Sequence, residues 1–364
     1  MPERIAGRFS KKPADPTVSA GIRNMTIELT VICNLRCTMC WWWGEKGIVF
    51  DMLKNKDSMV TQELKTDEIK RLVDQVAHLK PSFYLAGGEP FLRKDTVDII
   101  EYINSKKLPT ILTNNGTMLS EEAMQRLAKV DRLTMNFSID GPRDVHDRIR
   151  GQGNYDRTMN TVKRLVELRG RRVNPSIKTN TTFSPWIVGR IDELIRDLQA
   201  YGIDAARFQH LWFTDEQTAE NHRLALKELY GIEDRGARTH VISTPTQKYV
   251  EALAKEIADV EKRRYNIPVF MHPKLTEEQV VKYYTDLTFS KSDHCSAPWT
   301  HALVKANGDV MFCPDEWVTQ YKIGNVREGN VVEMWNNEKA RFFRQQLNKV
   351  QLFPACKRCC AMSD

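Results

Sequence analysis

No apolar run in these 364 residues approaches the roughly 20 that a bilayer span demands, and the opening Met1-Pro2-Glu3-Arg4 lacks the apolar stretch of an export signal. These absences exclude a membrane-spanning helix and secretion, so the chain is expected in the cytoplasm. A strong charge of one sign is missing as well. Lys and Arg number 54 against 47 Asp and Glu, a formal +7 that is mild for this length. The basic clusters at Arg169–Arg172 and Lys262–Arg264 follow helical patterns and read as solvated faces. Neither a nucleic-acid partner nor a membrane is therefore expected. A third absence is local: between Glu28 and Phe50 no fourth thiol or imidazole accompanies Cys33, Cys37 and Cys40. That loop cannot complete a tetrahedral zinc site by itself.

The cysteines that are present carry the argument. Eight thiols in a reducing compartment favour metal ligation over disulfides. Cys33, Cys37 and Cys40, spaced by three and then two residues, can ligate three irons of a four-iron, four-sulfur cluster and leave the fourth iron open. An open metal position points to chemistry rather than scaffolding. Composition is that of an ordinary globular protein, 41% hydrophobic and 28% charged. The length suits a barrel-like domain plus a smaller one.

From Met25 onward, strand and helix patterns alternate, which predicts βα units around a parallel sheet. The first helix presents Ile69, Leu72, Val73, Val76 and Leu79 at three-four spacing. Strands follow at Phe83–Ala86, Thr110–Thr113, Arg132–Ile139, Ser176–Phe183 and Ala205–Phe213, with Ser120 as a helix cap and Ser184-Pro185 opening a later helix. Six such repeats predict an α/β fold, a partial (β/α)6 TIM-like barrel rather than the full eight. In that geometry every strand carboxyl end opens on one face, so the loops bearing Cys33–Cys40, Gly87–Pro90, Asn114, Ser138 and His210 converge. The expected division is an N-terminal arm at 1–23, the barrel at 24–214, a helical bridge covering the substrate at 215–294, and a cysteine-bearing domain at 295–364. In the last part, Ala306-Asn307-Gly308 reads as a hairpin turn.

The thiol spacing at Cys33, Cys37 and Cys40, followed by Gly87-Gly88-Glu89-Pro90 at a strand end, resembles the radical S-adenosylmethionine (SAM) superfamily. The pattern Cys295, Gly308, Cys313, Cys356 and Cys359, with Ile323-Gly324-Asn325-Val326, is similar to the SPASM auxiliary-cluster domain and its shortened form, Twitch. Three of eight cysteines assigned to the first cluster leave five. One auxiliary cluster takes four, and Cys360 cannot found another, so the Twitch form with two clusters in all is expected. Read without the resemblance, those four thiols would equally suit a structural zinc.

The resemblance implies that the open iron binds the amino and carboxylate groups of SAM, whose reductive cleavage yields a radical that removes a substrate hydrogen. It also implies an external electron donor such as flavodoxin or ferredoxin. Gly87, Gly88, Glu89 and Pro90 would support the methionyl end, with the glycines giving backbone room for it. Ser138 and Asp140 would contact the ribose, with Asn114 and Thr179 as further candidates. Met39 stands where the family usually has an aromatic residue beside the adenine. Trp41, Trp42 and Trp43 would shield the cluster or pack in the core. His210, Trp212 and Glu28 are expected to point into the cavity, and His210 is the candidate base for a reaction that loses a proton. The expected activity is that of an oxidoreductase, dehydrogenating or forming a bond on a small metabolite. Alternatives are a maturase acting on a ribosomal precursor peptide, disfavoured because only about 23 residues precede the barrel, and a non-catalytic iron–sulfur electron carrier.

Overall fold

The computed structural model describes residues 15–359 except 45, 46, 48, 235, 243, 244 and 314–316. Cys360 and the first fourteen residues of the arm lie outside the described residues.

Ten strands form one sheet: β1 Asn24–Thr30, β2 Ser82–Gly87, β3 Thr110–Asn114, β4 Leu133–Ser138, β5 Ser176–Thr182, β6 Ala205–Gln209, β7 Val269–His272, β8 His301–Val304, β9 Asp309–Met311 and β10 Gly324–Asn325. Their order is β10-β9-β8-β1-β2-β3-β4-β5-β6-β7. The run from β8 through β1 to β7 is parallel, and the sheet does not close. The partial barrel is thus present, with two strands more than six repeats supply: β8, from the hairpin near the chain's end, and β7. The second of these, β7, lies inside the segment expected to be helical. It has four residues between Pro268 and Pro273, too few for alternation to announce a strand.

Period-two alternation decides what each face carries. Met25, Ile27 and Leu29 of β1, Phe83 and Leu85 of β2, and Leu133, Met135 and Phe137 of β4 are buried in the main core. Helices supply the other half of that core. In Thr66–Val76 the buried residues are Ile69, Leu72, Val73 and Val76, the stripe the spacing predicts. Burying each such side chain contributes on the order of 1.5–3 kcal/mol, which outweighs the weak intrinsic stability of an 11-residue helix. The opposite face of the same strands carries Thr26, Glu28, Tyr84, Thr113, Asn136, Ser138, Lys178, Asn180 and Arg207. That face is mostly polar.

Local signals fare unevenly. Ser120 caps its helix by accepting a hydrogen bond from Ala123 N. Gly308, at φ +89°, turns the hairpin between β8 and β9. The helix expected from Ser184-Pro185 begins only at Ile191, after Gly189 adopts φ +84°. The last helix divides into Val331–Met334 and Glu338–Val350, because Asn337 caps the second piece through Ala340 N. The described part of the N-terminal arm is pinned: Ser19 Oγ donates to Trp299 O and accepts from Trp335 Nε1.

Candidate active site

The loop after β1 rests on a small apolar cluster of Val31, Trp42, Trp43, Val49 and Ala306, and carries Cys33, Cys37 and Cys40 half-buried. Donors surround these sulfurs. Leu35 N lies 3.5 Å from Cys33 Sγ, Trp43 N 3.2 Å from Cys40 Sγ, Asn115 Nδ2 4.0 Å from Cys33 Sγ and Arg150 Nη1 3.9 Å from Cys37 Sγ. Such donors suit thiolate ligands of an iron cluster. Burial pushes the Cys33 thiol up to about 11 and also raises Cys37, whose rise the Arg150 guanidinium opposes. As free thiols these two stay protonated at neutral pH, and a metal must displace the protons.

The glycine motif at the end of β2 is stitched to this loop through its backbone: Gly88 N donates to Thr30 O (2.7 Å) and Glu89 N to Ile32 O (2.8 Å). A Cβ on Gly87 would stand 2.2 Å from Thr30 O, and one on Gly88 2.1 Å from Ile32 O. Glycine is therefore required for the close approach of two chain segments, a reason different from the expected room for a ligand. Glu89 is 1% exposed. Its carboxylate accepts from Phe91 N (3.0 Å) and Asn115 N (2.7 Å), and burial pushes its pKa up to about 7. Asn115 Nδ2 in turn donates to Asn34 Oδ1 at 2.9 Å. One chain of contacts, Glu89 to Asn115 to Asn34, ties together three loops. The sequence pointed to Asn114; its neighbour makes the connections, and the Asn114-Asn115-Gly116 turn was the available signal. Pro90 is buried at the start of a short 3-10 turn.

At the end of β4, Asp140 is fully buried and already committed. Arg150 Nε donates to it at 2.5 Å and Thr182 N at 3.2 Å. Rather than a free ribose contact, it is the anchor of Arg150, which reaches on to Cys37. Burial opposes the Arg150 charge, while Asp140 and the thiols Cys37 and Cys40 more than restore it. Arg150, at the end of helix Arg143–Arg150, carried no spacing signal in the sequence. Ser138 lies half-buried opposite Asn180, whose Oδ1 is buried with no partner among the described residues. Asn114 and Thr179 alternate with the other face, in step with Leu112 and Ile177. Asn114 Oδ1 and Thr179 Oγ1 have no hydrogen-bond partner among the described residues. Met39 is half-buried in the cluster loop.

His210 requires a correction. It shares parity with Phe208 and lies on the helix-facing side, not toward the cavity. It is 1% exposed, with Nδ1 3.0 Å from Tyr284 OH and ring centroids 5.1 Å from Phe183 and 5.2 Å from Tyr283. Burial lowers its basicity to about 3, so at neutral pH it is an uncharged imidazole and a weak base. Glu28 does face the polar side, paired to Lys305 Nζ at 2.7 Å with both side chains buried. Trp212 is half-buried, its ring 6.3 Å from His240.

Cys295, Cys313, Cys356 and Cys359 line a single cavity of about 450 Å³, mouth included, whose other walls include Phe312, Trp317, Phe343 and Phe353. Trp317 N donates to Cys313 Sγ at 3.2 Å. Among the described residues no three His, Cys, Asp or Glu side chains converge as a single metal ion would need. A zinc site holds its thiolates about 2.3 Å from one metal, whereas a cluster places each thiolate on a different iron and wants them wider apart. Both thiol sets thus fit iron–sulfur clusters better than single ions. Between them runs an aromatic column: the rings of Trp41 and His240 stand 4.6 Å apart, and those of His240 and Trp317 also 4.6 Å.

Comparison with known proteins agrees with this layout. Residues 27–185 match the Radical SAM superfamily, and residues 295–360 match SPASM, an iron–sulfur cluster-binding domain. The AdoMet-dependent heme synthase of Methanosarcina barkeri is 26% identical over 91% of this chain and 86% of its own length. The mycofactocin maturase MftC of Mycobacterium ulcerans is 23% identical over 92% and 79%. Among solved structures, Streptococcus suis SuiB bound to its precursor peptide SuiA superimposes with a TM-score of 0.65 at 15% identity, over 94% of this chain and 72% of that one.

Proposed function

We propose that this chain, which carries a radical SAM domain and a SPASM iron–sulfur domain, is an oxidoreductase that dehydrogenates a small metabolite or forms a bond on it. The observation that carries the reading is the pairing of two thiol sets: three in a donor-rich loop at the strand ends, four around one apolar cavity. When bound, SAM and the first cluster supply reductive carbon–sulfur cleavage and hydrogen-atom abstraction. Cys33, Cys37 and Cys40 would hold that cluster, with Arg150 and Asn115 donating toward its ligands. Ser138 and Asn180 would offer polar atoms to SAM, with the backbone of Gly87–Pro90 and Met39 as further residues that would hold it. Cys295, Cys313, Cys356 and Cys359 would hold one auxiliary cluster, the Twitch count, as acceptor or relay.

The heme synthase relationship, which spans nearly the whole chain, supports a small-molecule substrate. The second reading, maturation of a peptide, is supported by the equally extensive likeness to the mycofactocin maturase. The electron donor in this reading is a flavodoxin- or ferredoxin-type protein. No described helix is long and apolar enough to cross a membrane, in keeping with the cytoplasmic site of action proposed here. The test is anaerobic reconstitution followed by incubation with SAM and a low-potential reductant. Formation of 5′-deoxyadenosine is expected, with about eight irons per chain; no 5′-deoxyadenosine would reject the enzyme reading, and about four irons would reject the auxiliary cluster.

A further inference from the structure

Two cations on the polar face of the sheet have no counter-charge among the described residues. Lys178 of β5 alternates with the core residues Ile177 and Thr179, and Arg207 of β6 with Ala206 and Phe208, so both leave the sheet on the side of Ser138 and Asn180. Pairing sets Lys178 opposite Ala205 and Arg207 opposite Asn180. The two are diagonal neighbours, about 8 Å apart at the backbone from ordinary strand spacing and rise. Both are half-buried, and neither makes an ion pair or hydrogen bond with any described residue. By contrast, the partly buried Arg150 and the buried Arg169 each reach a carboxylate.

Two like charges on neighbouring strands and partly stripped of water repel, and a bound anion would relieve them. No strand from β4 to β7 places an Asp or Glu on this face: the residues there are Thr134, Asn136, Ser138, Ser176, Asn180, Thr182, Ala205, Gln209, Phe270 and His272 besides the two cations. Glu28, farther along the sheet, is neutralised by Lys305. Asn180 adds a buried, unpartnered side-chain oxygen beside Arg207. Opposite Arg207 on β7, Phe270 is 54% exposed, an aromatic face left open next to the charge. Lys178 stands two residues, about 6.6 Å, below Asn180 along β5, on the floor beneath the SAM end.

We propose that Lys178 and Arg207 form a carboxylate-binding subsite for the substrate, with Phe270 packing its apolar part, so that the substrate is an organic acid bearing flat or aromatic surface. This rests on the reading above that the strand carboxyl ends hold SAM. The same chemistry could bind SAM's own carboxylate, and the experiment separates the two. Reconstituted full-length protein is dialysed to equilibrium against 2-naphthoate or its neutral amide, without SAM, and SAM affinity is measured separately. Wild type is expected to bind the acid about ten-fold better than the amide. Arg207→Gln combined with Lys178→Gln should abolish that preference with SAM affinity unchanged, while Lys178→Arg should keep it, excluding a folding defect. Equal binding of acid and amide by wild type overturns the proposal, as does a double variant that keeps the preference or loses SAM affinity about ten-fold. Naphthoate binding needs no SAM cleavage, so a chain that makes no 5′-deoxyadenosine yet prefers the acid would sink the enzyme reading and leave the subsite standing.

Discussion

Cys33, Cys37 and Cys40 occupy a loop whose sulfurs meet backbone amides, an asparagine and a guanidinium, next to the buried carboxyl groups of Glu89 and Asp140. Cys295, Cys313, Cys356 and Cys359 surround a cavity walled by Phe312, Phe343, Phe353 and Trp317. The first setting stabilises negative charge and keeps polar partners within reach of an incoming ligand. The second is lined mainly by apolar side chains and offers four thiols at once. Since hydrogen bonding and exposure set a cluster's potential, the two sets suit different work: exchange with a ligand at the first, electron storage or transfer at the second.

The comparison breaks most sharply if the sets are removed one at a time. Cys37→Ala should remove about four irons per chain and all 5′-deoxyadenosine formation, whereas Cys356→Ala should remove the other four and leave SAM cleavage measurable. Equal loss of cleavage in both variants would show that the sets are not separable. Next in size is Arg150, the charged link between Asp140 and the first set. Arg150→Ala leaves a buried carboxylate uncompensated and should lower stability by about 3–5 kcal/mol in denaturant titration; pairing it with Asp140→Asn should restore part of that loss. No coupling between the two substitutions would mean that the 2.5 Å contact carries nothing.

Glu89 sharpens the same side of the comparison through pH. Burial raises its pKa from 4.5 to about 7, so the folded state binds the proton more tightly than the unfolded chain. Its contribution is therefore present at low pH and declines as pH rises from about 4.5 through 7, by about 3 kcal/mol. Glu89→Gln, which cannot ionise, should flatten that decline in thermal melts of the metal-free protein at pH 5, 6 and 7. An unchanged slope would place the titration elsewhere.

How much of this could be read beforehand depended on whether the relation was local. The loop of Cys33, Cys37 and Cys40 stood out because its spacing is a short-range pattern, the later four thiols because they resemble a known domain, and the helix stripe of Ile69, Leu72, Val73 and Val76 because one face of a helix must be apolar. The links from Glu89 to Asn115 and from Asp140 to Arg150 join loops that only the sheet's pairing brings together. β7 was hidden by its length. Lys178 and Arg207 were invisible for a related reason: each is one charge among many until the register sets them on one face, side by side. The side on which His210 lies was readable. In Ala205-Ala206-Arg207-Phe208-Gln209-His210 the apolar positions fall in step with the histidine, and they mark the core.

That parity makes His210 the control that belongs to neither thiol set. Its Nδ1 partner is Tyr284, its ring packs against Phe183 and Tyr283, and helices rather than ligand lie in front of it. His210→Gln should cost about 1–2 kcal/mol through the lost buried hydrogen bond and imperfect packing, seen as a lower Tm. SAM cleavage per folded chain should stay within about two-fold of wild type, because a group titrating near 3 takes no proton at neutral pH. A variant that folds as well as wild type but has lost turnover would restore the imidazole as a base, and with it the requirement that this face open to substrate.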